Sequence, residues 1–220
     1  MLEKEESVSK PIEGVSERIL ASAKEEFLEK GYSDASLRTI AAEADTTTGS
    51  IYSRYKDKEG LFGAIVDPVA EHLIELFLET QEHFHALEAS RQNEMMEECL
   101  SVGMLRMVDD IYDHFEEFQI LLDASHGTRY TDFVERLVDI ETEYTYKYME
   151  AVQIQNETSQ LVTEDFIHIM THAMIESVFE IVRHKMGKEQ AYKYVDMLEK
   201  YHYGGWNTIF QYDGQNKDLI

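Results

Sequence analysis

This chain of 220 residues is short of several things, and each shortage excludes something. It has one cysteine, Cys99, so an intramolecular disulfide framework and thiolate metal clusters are ruled out. It has two prolines, and Glu, Leu, Met, Ala and Tyr are abundant, which favours helices. Recurrent alternating runs with hairpin signals are missing, so a β-sandwich or barrel is not expected. No apolar run approaches the roughly 20 residues of a membrane span, which predicts no membrane association. The first residues, Met1 to Glu6, are charged and lack the apolar core of a secretory signal. With the lone cysteine, that predicts a cytoplasmic protein. No phosphate-binding glycine loop, dinucleotide fingerprint or Ser/His/Asp order appears, so the expectation is no enzyme and no cofactor.

Cations are also scarce. There are 20 Lys and Arg against 44 Asp and Glu, a net charge of −24. Phosphate backbones attract cations, so a generally basic nucleic-acid-binding protein is excluded. The charge is uneven, however. Residues 1–63 carry 9 basic and 13 acidic groups, and the remainder 11 and 31. Within residues 36–58, Arg38, Arg54, Lys56 and Lys58 face Glu43, Asp45 and Asp57, a net of +1. Most of the acid thus lies in the second part. Acidic surroundings suppress non-specific DNA binding, so any DNA affinity is expected to be modest and salt-sensitive.

Residues 36–62 read as a short helix, a turn, a second short helix and the start of a third. Leu37, Ile40, Ala41 and Ala44 recur at helical spacing and make one apolar face. Ser36 is placed to cap that helix. Asp45 and Thr46 break the pattern, and Asp45 is expected to turn the chain and cap the next helix. Ile51 and Tyr55, four apart, mark a helix of about two turns; Asp57 caps a third, beginning with Leu61, Phe62 and Ile65. Helices this short are unstable alone and must pack on one another, the helix-turn-helix plan. Before them, Val15, Ile19, Ala23 and Phe27 give a first helix its buried face, and Lys30-Gly31 signals its end.

The order Ile40-Ala41, Ala44, Gly49, Ile51-Tyr52, Tyr55, Lys56, Lys58 and Leu61 resembles the tetracycline-repressor (TetR) family of transcriptional regulators. The match extends back through Ile19, Ala23, Phe27, Gly31 and Tyr32 and covers about a third of the chain. Where the family usually has glycine and then an apolar residue, this chain has Asp45 and Thr46. The resemblance implies an all-α protein: an N-terminal three-helix DNA-binding domain, residues 1–63, and a C-terminal helical domain for effector binding and dimerisation, residues 64–220. It implies that Thr47 to Tyr55 is a recognition helix in the major groove, with Tyr52 and Lys58 on phosphates. The candidate DNA contacts are Ser36, Arg38, Thr46, Thr47, Thr48, Gly49, Ser50, Tyr52, Ser53, Arg54, Lys56 and Lys58. Arg54 can bond a guanine edge or a phosphate, the hydroxyls do either less specifically, and Gly49 lets the backbone come close.

In the second part, Pro68 is expected to kink a helix that starts at Asp57 and joins the two domains. Met96 to Phe115 marks one helix, and Phe118 to Leu122 a shorter one. Ser125 to Thr128 marks a loop, and Tyr130 to Tyr148 a long helix. Asn156 to Ser159 marks another loop, Thr163 to Met186 a helix ended by Gly187, and Ala191 to Ile209 the last helix. Pro11 suits a helix start and residues 1–10 are expected to fray. The last two helices are apolar on more than one stripe and need a second partner. The resemblance implies a four-helix homodimer interface there, reading a pseudo-palindromic operator in double-stranded DNA.

Met104, Met107, Phe118, Phe133, Tyr144, Tyr148, Phe166, Met170 and His172 are candidates for lining an effector pocket between helices. The effector would be a small molecule. His168, His172 and Glu176, spaced by four, lie on one helical face and have metal-binding spacing, but a histidine pair lacks a full ligand set, so no metal is expected. Cys99 is read as inert. The resulting reading is a ligand-responsive DNA-binding regulator, a repressor in the usual sense of the family. The alternatives are a helical ligand-binding or interaction module with degenerate DNA binding, and a metal-dependent helical enzyme.

Overall fold

The structure is a computed structural model and describes residues 14–152 and 162–210. The expectations for residues 1–10, Pro11 and Asn156 to Ser159 fall outside them. Among the described residues there are nine helices and no strand. We label them α1 (Val15–Asp34), α2 (Leu37–Glu43), α3 (Thr48–Tyr55), α4 (Lys58–His85), α5 (Ala89–Asp113), α6 (Phe115–Asp123), α7 (Phe133–Ala151), α8 (Glu164–Arg183) and α9 (Lys188–Phe210).

The first three helices and the start of α4 form a head. Ile19, Ala23 and Phe27 of α1 meet Ile40, Ala41, Ile51, Leu61 and Phe62, all at most 3% exposed. Phe62 is edge-on to Phe27 at 5.1 Å and to Tyr32 at 5.4 Å between ring centres. Aromatic edge-to-face pairs add to the energy of burial. Gly31, with φ 69°, breaks α1 where the sequence signals its end and turns Tyr32 back onto Phe27.

α4 is helical on both sides of Pro68, so the proline lies within a single helix of 28 residues. That length is about 42 Å, enough to reach from the head deep into the body. The expected boundary between residues 63 and 64 therefore falls inside α4, and one continuous apolar cluster runs through head and body. In the body, α7 packs on α8, and α5 packs on α4 and α9. Phe118, Ile120 and Leu121 of α6 are closed into the centre.

Three expected boundaries shift. Phe115 opens α6 instead of ending α5, because His114 leaves helical geometry between them. Tyr130 lies in the turn before α7, where Phe133 N–H donates to its carbonyl. α8 ends at Arg183, before Gly187. Lys185 takes φ 49°, while its N–H and that of Met186 donate to the carbonyls of Val182 and Ile181. Those two bonds are the Schellman closure usually given to glycine.

Candidate nucleic-acid interface and interhelical cavity

The turn between α2 and α3 is built from backbone hydrogen bonds. Asp45 adopts φ 49°, its N–H donates to Ala42 O, and Thr46 N–H donates to Ala41 O. This too is a Schellman closure, made with aspartate in the left-handed position. Asp and Asn tolerate that conformation better than other side chains. Asp45 therefore turns the chain as expected, but it does not cap α3. The cap is Thr47, whose Oγ1 accepts from Ser50 N–H at 3.2 Å. Ser36 caps α2 through Thr39 N–H at 3.4 Å. Arg18 Nε donates to Ala44 O at 3.1 Å and ties the end of α2 to α1.

A buried acid holds the entry to this motif. Glu26, 5% exposed, accepts from Ser36 N–H at 2.9 Å and from Lys30 Nζ at 2.8 Å. Burial works to raise its pKa, but Lys30 and the Ser36 amide prevail and hold the carboxyl below its usual range. Lys30, expected only as a helix-end cation, thus also serves as the partner of Glu26.

α3 buries Ile51 completely and leaves the opposite side open. Tyr52 is 53% exposed, and Thr47, Gly49, Ser53, Arg54 and Lys56 are exposed, with Thr46, Thr48 and Ser50 half-buried. Arg38 is exposed on α2. Arg54 Nη1 lies on Ser50 Oγ at 2.6 Å, folded along its own helix. Lys56 sits at φ 71° and closes α3 with its N–H on Tyr52 O. Asp57 then caps α4 through Gly60 N–H at 2.7 Å. A Cβ on Gly60 would stand 1.9 Å from Tyr55 O, so only glycine fits this junction.

Lys58, expected on a phosphate, points inward in this structure. Its Nζ donates to the carbonyls of Tyr32 at 2.6 Å, Ser33 at 3.1 Å and Ala35 at 3.1 Å, and lies 4.6 Å from the Tyr32 ring centre. An ammonium has three donors, and all three are used. Lys58 thus clasps the end of α1.

The head meets the body through polar ties. Lys24 pairs with Glu117, and Tyr32 N–H donates to Ala124 O at 3.0 Å. Arg129 N–H donates to Glu59 Oε1 at 3.0 Å, and its guanidinium bonds both oxygens of Asp67 at 2.9–3.0 Å. Tyr130 Oη donates to Asp67 as well. Burial, then the Asp67 carboxylate, pushes the Tyr130 pKa up to about 12. The sequence marked a loop at Ser125 to Thr128 and read Tyr130 as the start of a helix, with no sign of this contact to Asp67.

Deeper in the body, α4, α5, α7, α8 and α9 line a partly open cavity of about 140 Å³. Met104, Met107, Tyr144 and Tyr148 line it, as do Cys99 and Trp206. The other expected residues do not. Phe118 and Phe133 fill the core, the latter 6.1 Å from the Phe179 ring centre. Phe166 packs on Trp206, and Met170 lies half-buried outside the cavity. His172 lines a separate pocket near Tyr130 and Arg183. Helical spacing alone could not separate these cases, since core and cavity wall share the same stripe. Sequence reasoning also missed Gln81 and Glu141 on the cavity wall.

His168, His172 and Glu176 do not converge. Glu176 pairs with Arg183, and His168 Nε2 faces Glu135 Oε1 at 3.4 Å.

With head and cavity described, known proteins can be compared. Residues 19–65 match the profile of the bacterial regulatory proteins of the tetR family. The head is a TetR-family domain. The TetR-type fold extends over the rest of the chain. A TetR-like transcriptional regulator from Rhodococcus sp. RHA1 superposes with a TM-score of 0.60 at 18% identity, covering 90% of this chain and 98% of its own. NalD, the secondary repressor of the MexAB-OprM multidrug efflux pump in Pseudomonas aeruginosa, gives 0.53 at 21% identity, covering 84% and 94%. A TetR-family regulator from Syntrophomonas wolfei gives 0.55 at 16% identity, covering 89% and 94%. No curated protein matches the sequence significantly. Among the described residues no helix is long and apolar enough to cross a membrane.

Proposed function

We propose that this protein is a ligand-responsive, DNA-binding transcriptional regulator that works as a homodimer. The observation that carries the reading is α3. It is capped by Thr47, anchored by the buried Ile51, and presents Ser50, Tyr52, Ser53, Arg54 and Lys56 outward from a TetR-type head. Such a helix enters the major groove, with hydroxyls and Arg54 at base edges or phosphates and Tyr52 at the backbone.

Pairing through α8 and α9 is supported by what they leave uncovered. Met197 is 71% exposed, Tyr201 72% and Ile169 62%. Gly204 and Gly205 continue the α9 stripe with open space where a side chain would stand, which suits close helix approach. A twofold pair of heads reads two half-sites, hence a pseudo-palindrome.

Leu76, Phe77 and Gln81 of α4 line the cavity, and Lys58 of the same helix clasps the head. A ligand that fits the cavity better in one head arrangement than another shifts the population between them. Repression follows the sense of NalD, which is named as a repressor, and a ligand that favours the other head arrangement releases the DNA.

The test is fluorescence anisotropy with duplex DNA from the flanks of the gene itself, across a salt series. Tyr52→Ala and Arg54→Ala, both exposed, should keep the fold, weaken binding several-fold and flatten the salt dependence. Wild-type binding by both variants overturns the assignment of α3.

A further inference from the structure

The cavity wall is mostly apolar and carries a single carboxyl group, that of Glu141. Leu76, Phe77, Leu100, Met107, Ile175 and Val178 supply aliphatic and ring surface. Glu141 of α7 faces into this space, and its carboxylate accepts a hydrogen bond from Gln81 Nε2 of α4. Among the described residues it takes part in no ion pair, and no lysine or arginine lines the cavity. Lys147, the nearby cation on α7, is committed to Glu143 at 2.7 Å. The other titratable groups on the wall are His85, Cys99, Tyr144, Tyr148 and Tyr203, and none of them is a fixed cation. A carboxylate enclosed without a counter-charge is costly to keep ionised, and a matching cation removes that cost. Burial accordingly raises the Glu141 pKa to about 7.

Aromatic rings stand around the same space. Trp206, Tyr144, Tyr148 and Phe84 all line it, and a ring face attracts a desolvated cation. The volume, about 140 Å³, resembles that of engineered cavities of roughly 150 Å³ that hold benzene. A ligand here has room for one ring and a short arm.

We propose that the cavity binds a small aromatic or alicyclic amine in its cationic form, with Glu141 as counter-ion, Gln81 orienting that carboxylate, and the surrounding rings enclosing the apolar body. The proposal rests on the reading of the body as the effector-binding part and names the chemical class of that effector. An anionic ligand is repelled by the same carboxylate, and a neutral one leaves it without a counter-charge. Cys99, at the edge of this space, is a wall residue whose thiol burial keeps protonated.

Trp206 is the one tryptophan of the chain and lies on the wall, so its fluorescence reports occupancy directly. The probes are benzylammonium and benzyl alcohol, of similar shape, titrated at pH 8 into the full chain without DNA. Benzylammonium should bind at least ten-fold more tightly. Glu141→Gln keeps the size of the side chain and a partner for Gln81; it should bring the two affinities together while leaving the alcohol unchanged. Equal affinities in the wild type overturn the proposal, and that comparison needs no variant. A preference for the cation that persists in Glu141→Gln overturns the role of Glu141, as does a failure of both probes to change Trp206 emission at millimolar concentration. DNA release is measured separately. Cation binding without release leaves the ligand class standing and removes its effector role; equal affinity for the two probes in a chain that still binds DNA removes the ligand class and leaves the regulator reading standing.

Discussion

Head and body solve opposite problems. The head is made of short helices that cannot stand alone, and it spends polar groups on closing their ends. Ser36, Thr47 and Asp57 each cap a helix, Asp45 and Lys56 turn the chain at positive φ, and Lys58 and Arg18 tie free carbonyls. The body has long helices whose ends matter less, and it keeps an apolar space with one acid inside. The difference teaches where each is vulnerable. The head fails when a local backbone contact is lost. The body tolerates change but answers to charge.

The largest effect is expected at Gly60. A methyl group there meets the Tyr55 carbonyl at 1.9 Å, a backbone atom that cannot swing aside. Gly60→Ala should destabilise the protein by about 3 kcal/mol or more and abolish DNA binding, as read by thermal unfolding and anisotropy. Near-wild-type melting would mean that the α3–α4 junction is softer than its geometry.

Next is Lys58. Loss of its bonds to three carbonyls leaves them without donors and should cost about 1.5–3 kcal/mol. Lys58→Ala should therefore lower thermal stability, while the salt dependence of DNA binding per mole of folded protein stays the same. A flattened salt dependence with unchanged melting would restore Lys58 to the phosphate-binding role first expected of it.

Glu141 sharpens the contrast from the other side. Its folded-state pKa, about 7, lies above the ordinary 4.5. The folded chain therefore holds the proton more tightly than the unfolded one. Stability from this group is full below about pH 4.5 and drains away as pH rises through 7. Glu141→Gln should melt with the wild type at pH 5 and several degrees higher at pH 8, a gain on the order of 1–3 kcal/mol. A wild-type melting temperature for the variant at both values would show that the carboxylate is well solvated.

The smallest effect concerns Lys56, a lysine at φ 71°, a conformation glycine adopts without strain. Lys56→Gly should leave stability level or raise it by roughly 0.5–1 kcal/mol, yet weaken DNA binding a few-fold by removing a cation beside α3. Unchanged DNA affinity would show that the lysine stands clear of the phosphates.

The head was largely legible because its signals are local. Capping residues stand within three positions of the amides they serve, and the apolar faces of α1, α2 and α3 repeat at fixed spacing. What escaped was the exchange of roles within the same few residues: Thr47 caps where Asp45 was expected, and Lys58 folds inward. A sequence lists donors but not the carbonyls 23–26 residues away that claim them. The same holds for α8, which was expected to end at Gly187 and instead closes through Lys185 in the left-handed position. The cavity was only half legible. Met104 and Phe118 read alike as apolar helix positions, and the pairing of Gln81 with Glu141 joins residues 60 apart. Nothing in the sequence around Glu141 sets it apart from the many acids of the surface.

The central claim, that α3 reads DNA as one of a symmetric pair, is tested most directly by selecting binders from a pool of random duplexes with the purified full chain. The account predicts enrichment of a pseudo-palindrome with two related half-sites, lost when Ser50, Tyr52 and Arg54 are changed together to alanine in a protein that still melts normally. Recovery of no preferred sequence, or of the same sequence by the triple variant, would contradict it.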